Sequence, residues 1–153
     1  MLRVAPRIVS YSDIFYKENA VIDLINDSSV MAVTYDPYWF DLWSQRFEDP
    51  LDDAESFRIN DESFLLEIGR KAFNAKEIQG QYMGLLKISP EAWQIIKIIR
   101  SGLPKIENDK MHMTHLLQKM IDDHGVAIRA VPYHGEWGEV DSELDLNFYQ
   151  NNF

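Results

Sequence analysis

The apolar positions switch repeatedly between two patterns, short continuous runs and a helical stripe. Residues 4–12, with Ile8 and Val9, read as a strand buried on both faces. "KENAVIDLIN" (17–26) then places Val21, Ile22 and Ile25 on one helical face. "SVMAVTYD" (29–36) is a second buried strand, and like the first run it closes on an acid, here Asp36, there Asp13. "PYWFDLWSQRFEDPLDDAESF" (37–57) is aromatic first and acidic afterwards, a long, partly helical excursion. "FRINDESFLLEI" (57–68) has apolar runs on either side of Asn60 and Asp61, which predicts an antiparallel hairpin. "EIQGQYMGLLKIS" (77–89) is a further strand, interrupted by Gly80 and Gly84.

The second half carries clearer stop and start signals. Ser89, Pro90 and Glu91 are the cap, first-position proline and first-turn acid of a helix. Its apolar face is expected at Trp93, Ile96 and Ile99, and Gly102 and Pro104 end it. A helix over 112–124 turns Leu116, Leu117, Met120 and Ile121 inward and stops at Gly125. "VAIRAVPY" (126–133) is a strand, and Ser142 with Asp145 forms a capping box that opens a last short helix. Alternating strands and helices predict an α/β sandwich with a largely parallel sheet. No internal repeat, low-complexity segment or interdomain linker interrupts the chain.

Composition narrows the chemistry. The 153 residues are enough for one domain with a core, and 46% are hydrophobic, so the chain should fold. Lys and Arg number 15 against 25 acids, a net charge of -10, which disfavours binding to nucleic acid or an anionic membrane. A local cation or metal would still admit a phosphorylated ligand. The chain has no cysteine, which excludes disulfides and thiolate zinc sites and suits a reducing cytoplasm. No apolar run approaches a membrane span, and "MLRVAPRIVS" lacks a signal-peptide core.

Two acids stand at expected strand ends, Asp13 and Asp141, the latter just before the capping Ser142. In open α/β sheets ligands bind beyond the carboxyl ends of strands, and two such carboxylates can hold one Mg²⁺. Spacing alone favours two solvated helix caps. His112 and His115 lie three apart on a helix without an H-E-x-x-H pattern, so surface histidines are the simpler reading. "EDPLDDAE" (48–55) does not fit a calcium loop and reads as a solvated charged loop. Trp39 and Trp43 are four apart, an aromatic face suited to core packing more than to a cage for a quaternary ammonium group. The phosphate-binding and nucleophile motifs G-x-x-x-x-G-K-[ST], G-x-G-x-x-G and G-x-S-x-G do not occur.

Five segments in order, "IVSYSDI", "DPYWFDLWSQRFEDPLDDAESF", "EIQGQYMGLLKISPEAW", "MTHLLQKMI" and "WGEVDSELDL", resemble the cytidylyltransferase-like branch of the sugar-phosphate nucleotidyltransferases. That branch includes phosphocholine cytidylyltransferases and the nucleotidyltransferase domains fused to phosphoenolpyruvate phosphomutase. The resemblance covers nearly the whole chain. It implies a nucleotide-diphospho-sugar transferase (GT-A-like) α/β/α sandwich with a mixed, mostly parallel sheet. It also implies nucleotidyl transfer from an NTP, by analogy CTP, to a phosphorylated acceptor, with loss of pyrophosphate. Asp13 and Asp141 fall on the family's Mg²⁺ positions. Lys71 falls near a lysine that faces phosphates; Lys71 and Asp13 are therefore the expected catalytic residues. Glu77, Gln79 and Gly80 match the acceptor-side strand, and Arg46 lies where it would reach the acceptor phosphate. An anionic acceptor phosphate is already nucleophilic, so positioning and charge stabilisation are what the site must supply.

Two departures qualify the resemblance. The family's opening strand and its L-A-A-G-x-G-x-R-L loop, which binds the NTP, are absent from the 153 residues. The expectation is one unit, residues 1–153, equivalent to the C-terminal part of such an enzyme and inactive alone. His112 stands where relatives carry an acid. The expected partners are an NTP and a phosphorylated acceptor once the missing half is supplied, on a separate chain, or a second copy in a homodimer. The other readings are a non-catalytic remnant and a partner-binding module that associates through an uncovered sheet edge at "RIVSY".

Overall fold

The structure is a computed structural model and describes residues 5–153. In chain order the elements are β1 (Arg7–Ser10), β2 (Ile14–Tyr16), α1 (Asn19–Asn26), β3 (Met31–Asp36), α2 (Trp39–Arg46), β4 (Glu55–Ile59) and β5 (Leu65–Lys71). They continue with β6 (Gln81–Ile88), α3 (Pro90–Ser101), α4 (Lys105–Lys110), α5 (Met113–His124), β7 (Ile128–Pro132), β8 (Trp137–Glu139) and α6 (Glu143–Asn152). A four-stranded sheet in the order β1-β6-β3-β7 organises them, with two-stranded ribbons β2-β8 and β4-β5 beside it.

Strand alternation builds two cores from one sheet. Met31, Val33 and Tyr35 of β3, Leu86 and Ile88 of β6, and Ile128 and Ala130 of β7 face one side. There they meet Ile96 and Ile99 of α3 and Leu116, Leu117 and Met120 of α5. Ala32, Met83 and Leu85 face the other side, against Ala20 and Leu24 of α1 and Trp39 and Trp43 of α2. All six residues of β3 are buried, as a central strand with both faces covered requires. Trp43 stacks on Trp137 with centroids 5.8 Å apart, so the aromatic pair of α2 is core.

The sheet is mixed and flanked by helices on both faces. Its parallel share is smaller than the alternating pattern suggests. Within the four-stranded sheet only β3 and β7 run parallel, because β6 lies between β1 and β3 and runs against both. The hairpin is present, with β4 antiparallel to β5 and Asn60 Oδ1 accepting from the amides of Glu62 and Phe64 in its turn. Ser89 caps α3 by accepting from the amide of Ala92, Gly125 ends α5 in a left-handed conformation, and the Ser142–Asp145 capping box opens α6.

Three local expectations change. The run 4–12, whose first residue lies outside the described residues, ends as a strand at Ser10. The amide of Tyr11 donates to Gly84 O, and the chain then turns into β2, so Asp13 precedes a strand rather than a helix. On α1 the sheet-facing residues are Ala20 and Leu24, while Ile22 and Ile25 are 48% and 60% exposed. On α3 Ala92 takes the inward place expected for Trp93, which is 50% exposed.

Candidate metal and phosphate site

The β2–β8 ribbon creates the site. Ile14 stands opposite Glu139, and the amide of Val140 donates to Asp13 O at 2.8 Å. This pairing spans more than a hundred residues and brings Asp13 to the strand that carries Glu139 and Asp141. Those two acids alternate around Val140, so in extended chain they share a face. Asp13, Glu139 and Asp141 each offer a carboxylate oxygen, and these oxygens lie within 4.8 Å of one another. The ribbon is pressed onto α6: a side chain at Gly138 would put its Cβ 2.3 Å from Tyr149 Cζ and 2.6 Å from Phe15 Cε1. Only glycine permits that approach.

Three carboxylates at this spacing repel one another. Burial, and next the charge of Asp141, push Glu139 up to about 7. Burial and then Asp13 raise Asp141. The oxygen-only donor set and the accumulated negative charge fit a hard divalent cation, which replaces the shared protons with one central charge. Lys17 pairs with Glu136 rather than with these acids.

A cleft of about 610 Å³ opens beside the cluster. Glu139, Asp141, Lys71, Tyr11, Tyr82, Gly84 and Thr114 line it. Gly84, at φ 80°, lets β6 pass under the Tyr11 ring, which a Cβ would meet at 2.6 Å. Asp52, Asp53 and Glu55 of the acidic loop form another wall, and burial raises Asp53. His112 stands at the mouth as the residue before α5; His115 lies on a different surface.

The sequence-predicted residues divide into two groups. Asp13, Asp141 and Lys71 come to the cluster or the cleft. Arg46, Glu77, Gln79 and Gly80 are not among the cleft's lining. The Arg46 side chain is 1% exposed and pairs with Asp145 at 3.0 Å. Glu77 accepts from the amide of Phe73 and lies 3.7 Å from Arg70. Gln79 Oε1 accepts from the amide of Ile59, and Gly80 packs under the Tyr35 ring. The sequence reading missed Glu139, which its two-residue spacing from Asp141 could have signalled. Asp52, Asp53 and Glu55 are exposed, as a solvated charged loop requires, and they also line the cleft.

The fold is an α/β sandwich of the nucleotide-diphospho-sugar transferase type, with a carboxylate-lined cleft. By sequence it is similar to a cytidylyltransferase. No family model matches the chain. Over 148 residues it is 35% identical to the CTP:phosphoglutamine cytidylyltransferase of Campylobacter jejuni, covering 91% of this chain and 56% of that protein. In structure it is similar to the inositol-1-phosphate CTP transferase of T. maritima, with a TM-score of 0.70 at 15% identity, over 97% of this chain and 55% of the other. A protein assigned as a glucose-1-phosphate thymidylyltransferase from Bacillus anthracis has a TM-score of 0.65 at 14% identity, over 98% and 55%. The two structural likenesses speak to fold alone. The chain thus spans about half the length of the relatives it matches. Among the described residues no helix is long and apolar enough to cross a membrane.

Proposed function

We propose that these residues supply the metal- and acceptor-side half of a cytidylyltransferase site. Joined to a glycine-rich NTP-binding half, on the same polypeptide or another, they transfer a cytidylyl group from CTP to a phosphorylated small molecule. An acceptor phosphate oxygen bonds to the α-phosphorus, the bond from that phosphorus to the bridging oxygen breaks, and pyrophosphate leaves with the electron pair. The observation that carries this reading is the cluster of Asp13, Glu139 and Asp141 beside a cleft that Glu139, Asp141 and Lys71 line. The 35% identity to a cytidylyltransferase supports the choice of nucleotide.

Asp13 and Asp141, together with Glu139, would hold Mg²⁺, which would supply neutralising charge at the phosphates. Lys71 faces the phosphates across the cleft and offsets their charge. Gln79 and Gly80 serve the acceptor side indirectly, by fixing the chain that leads into β6. The alternative, a non-catalytic module that recruits a partner, is favoured by one feature. β1 pairs with β6 on one side and has no partner on the other among the described residues. Exposed Ile25 and Trp93 lie near that edge on opposite faces of the sheet. An uncovered apolar edge recruits a strand, and in the transferase reading the NTP-binding half supplies it.

The test is pyrophosphate release from CTP, Mg²⁺ and phosphoglutamine or phosphocholine. The 153-residue chain alone should be silent. Mixed with the half of the C. jejuni relative that it does not match, it should turn over, and Asp141→Asn should abolish that turnover. Robust turnover by the chain alone would overturn the need for a second half. A stable complex of the two halves without turnover would favour the recruiting module.

A further inference from the structure

Arg46 has an arrangement unlike that of a substrate-binding arginine. Its side chain is 1% exposed, with the guanidinium carbon 5.0 Å from both the Trp43 and Phe47 rings and 5.7 Å from that of Tyr149. Nε and Nη2 both donate to Oδ1 of Asp145, at 3.3 and 3.0 Å. Nη1 is buried without a protein acceptor, so the grip of Arg46 on its surroundings runs through Asp145. The other oxygen of Asp145 is fully used. Oδ2 accepts from the amide of Asp141 at 3.2 Å, the amide of Ser142 at 3.0 Å and the hydroxyl of Ser142 at 2.8 Å. One carboxylate therefore ties α2 to the backbone of Asp141, ninety-five residues further along the chain.

We propose that Arg46 is a positioning residue: through Asp145 it fixes the backbone of Asp141, and so the place its carboxylate takes in the Asp13–Glu139–Asp141 cluster. The inference rests on the reading of that cluster as a divalent-cation site. The aromatic box holds the guanidinium, the two-nitrogen grip orients Asp145, and Asp145 holds the residue before α6 at a set distance from β8. Outer residues of this kind matter for metal affinity because they fix the donor rather than contact the ion.

Simple charge makes the opposite prediction, which gives the test its force. Arg46 is a cation beside an anionic cluster. If it acted only by charge, removing it would tighten binding of a second cation; if it positions Asp141, removing it weakens binding. Mn²⁺ serves as the probe, titrated into the full chain at pH 8.5, with free Mn²⁺ followed by electron paramagnetic resonance and folding checked by near-ultraviolet circular dichroism. Arg46→Met and Asp145→Asn should each weaken Mn²⁺ by about tenfold. The double variant should be no weaker than the worse single one, since both act along one path. Arg46→Lys keeps the charge and guards against a Met variant that fails to fold; it should still weaken binding, because an ammonium cannot reproduce the fork on Oδ1. Unchanged or tighter binding in Arg46→Met, or unchanged binding in Arg46→Lys, would overturn the inference. Asp141→Asn separates the two layers of the reading. If it leaves Mn²⁺ binding intact, the metal site itself is wrong and the positioning role falls with it. If it abolishes binding while the Arg46 variants do not weaken it, only the positioning role fails.

Discussion

At one end of β6, Lys87 lies almost wholly inside the protein, 5% exposed, with its ammonium donating to Asp27 O and 3.6 Å from Asp27 Oδ1. Arg129 approaches the other oxygen of Asp27 at 3.9 Å, and the amide of Ser29 donates to Asp27 Oδ1 at 2.9 Å. At the other end of the same strand, Asp13, Glu139 and Asp141 crowd together, and the nearest buried cation, Arg46, is already committed to Asp145. The first cluster is neutralised from within and has little to offer a ligand. In the second, Arg46 offsets the negative charge only in part, and the rest is left to protons or to something that arrives from outside. Burial raises carboxyl groups in both, but at Asp27 the Ser29 hydrogen bonds and Lys87 win and hold it below the usual range. At Glu139 the neighbouring acids add to burial, and it is pushed up to about 7. Opposite charges at a strand end hold a fold together; like charges at a strand end point to a missing cation.

Truncation should separate the two clusters most strongly. Lys87→Ala leaves Asp27 without its buried partner and should lower unfolding stability by about 3 kcal/mol in urea melts. Glu139→Gln should do the reverse at pH 8 without divalent ions, raising stability by about 1 kcal/mol after solvent screening, because it removes a carboxylate that its surroundings penalise. A loss of stability in the Gln variant would mean that the acidic cluster is internally satisfied after all, and the contrast between the two ends would collapse.

The pH dependence of stability should differ in sign as well. Glu139 binds its proton more tightly in the folded chain, at about 7, than its model-compound value of 4.5. Between those values the folded state holds more protons, so its contribution to stability is present at low pH and is lost as pH rises towards 7. Asp27 is depressed instead, so its contribution is present above its unfolded value and is lost as pH falls through its folded one. Thermal melts from pH 3 to 9 on wild type, Glu139→Gln and Lys87→Ala should show the descending limb near 5 to 7 vanish in the first variant only. Millimolar Mn²⁺ should also flatten that limb in the wild type. The smallest expected effect is Asp141→Asn without metal, which should gain less than about 1 kcal/mol, since its carboxylate is better solvated than that of Glu139.

The elements were far easier to read from the sequence than the site. Ser89-Pro90-Glu91 and Ser142-x-x-Asp145 mark helix starts by local chemistry alone, and both helices begin there. Helix faces were harder. α1 is apolar around much of its circumference, so its period could not tell Ala20 and Leu24, which meet the sheet, from Ile22 and Ile25, which do not. Helical spacing places Trp93 with Ile96 and Ile99 on the inner face of α3, yet the small Ala92 lies against the sheet. The site depends on the least local contact in the chain, the pairing of β2 with β8. No spacing rule reports that pairing, so Asp13 looked like a cap; the family resemblance pointed to Asp13 and Asp141, but not to Glu139. The resemblance pointed Arg46 at the acceptor phosphate, whereas its partner is Asp145, whose capping-box role gives no sign of a second contact ninety-nine residues away.

The proposed chemistry requires that one cation sit among Asp13, Glu139 and Asp141. Crystals grown with Mn²⁺ at pH 8 and measured near the manganese edge would answer it through an anomalous difference map. The predicted result is a single strong peak with oxygens from all three side chains about 2.1 Å away, and loss of that peak in Asp13→Asn. A peak at the Asp49–Asp53 loop instead, or an unoccupied cluster at saturating Mn²⁺, would contradict it.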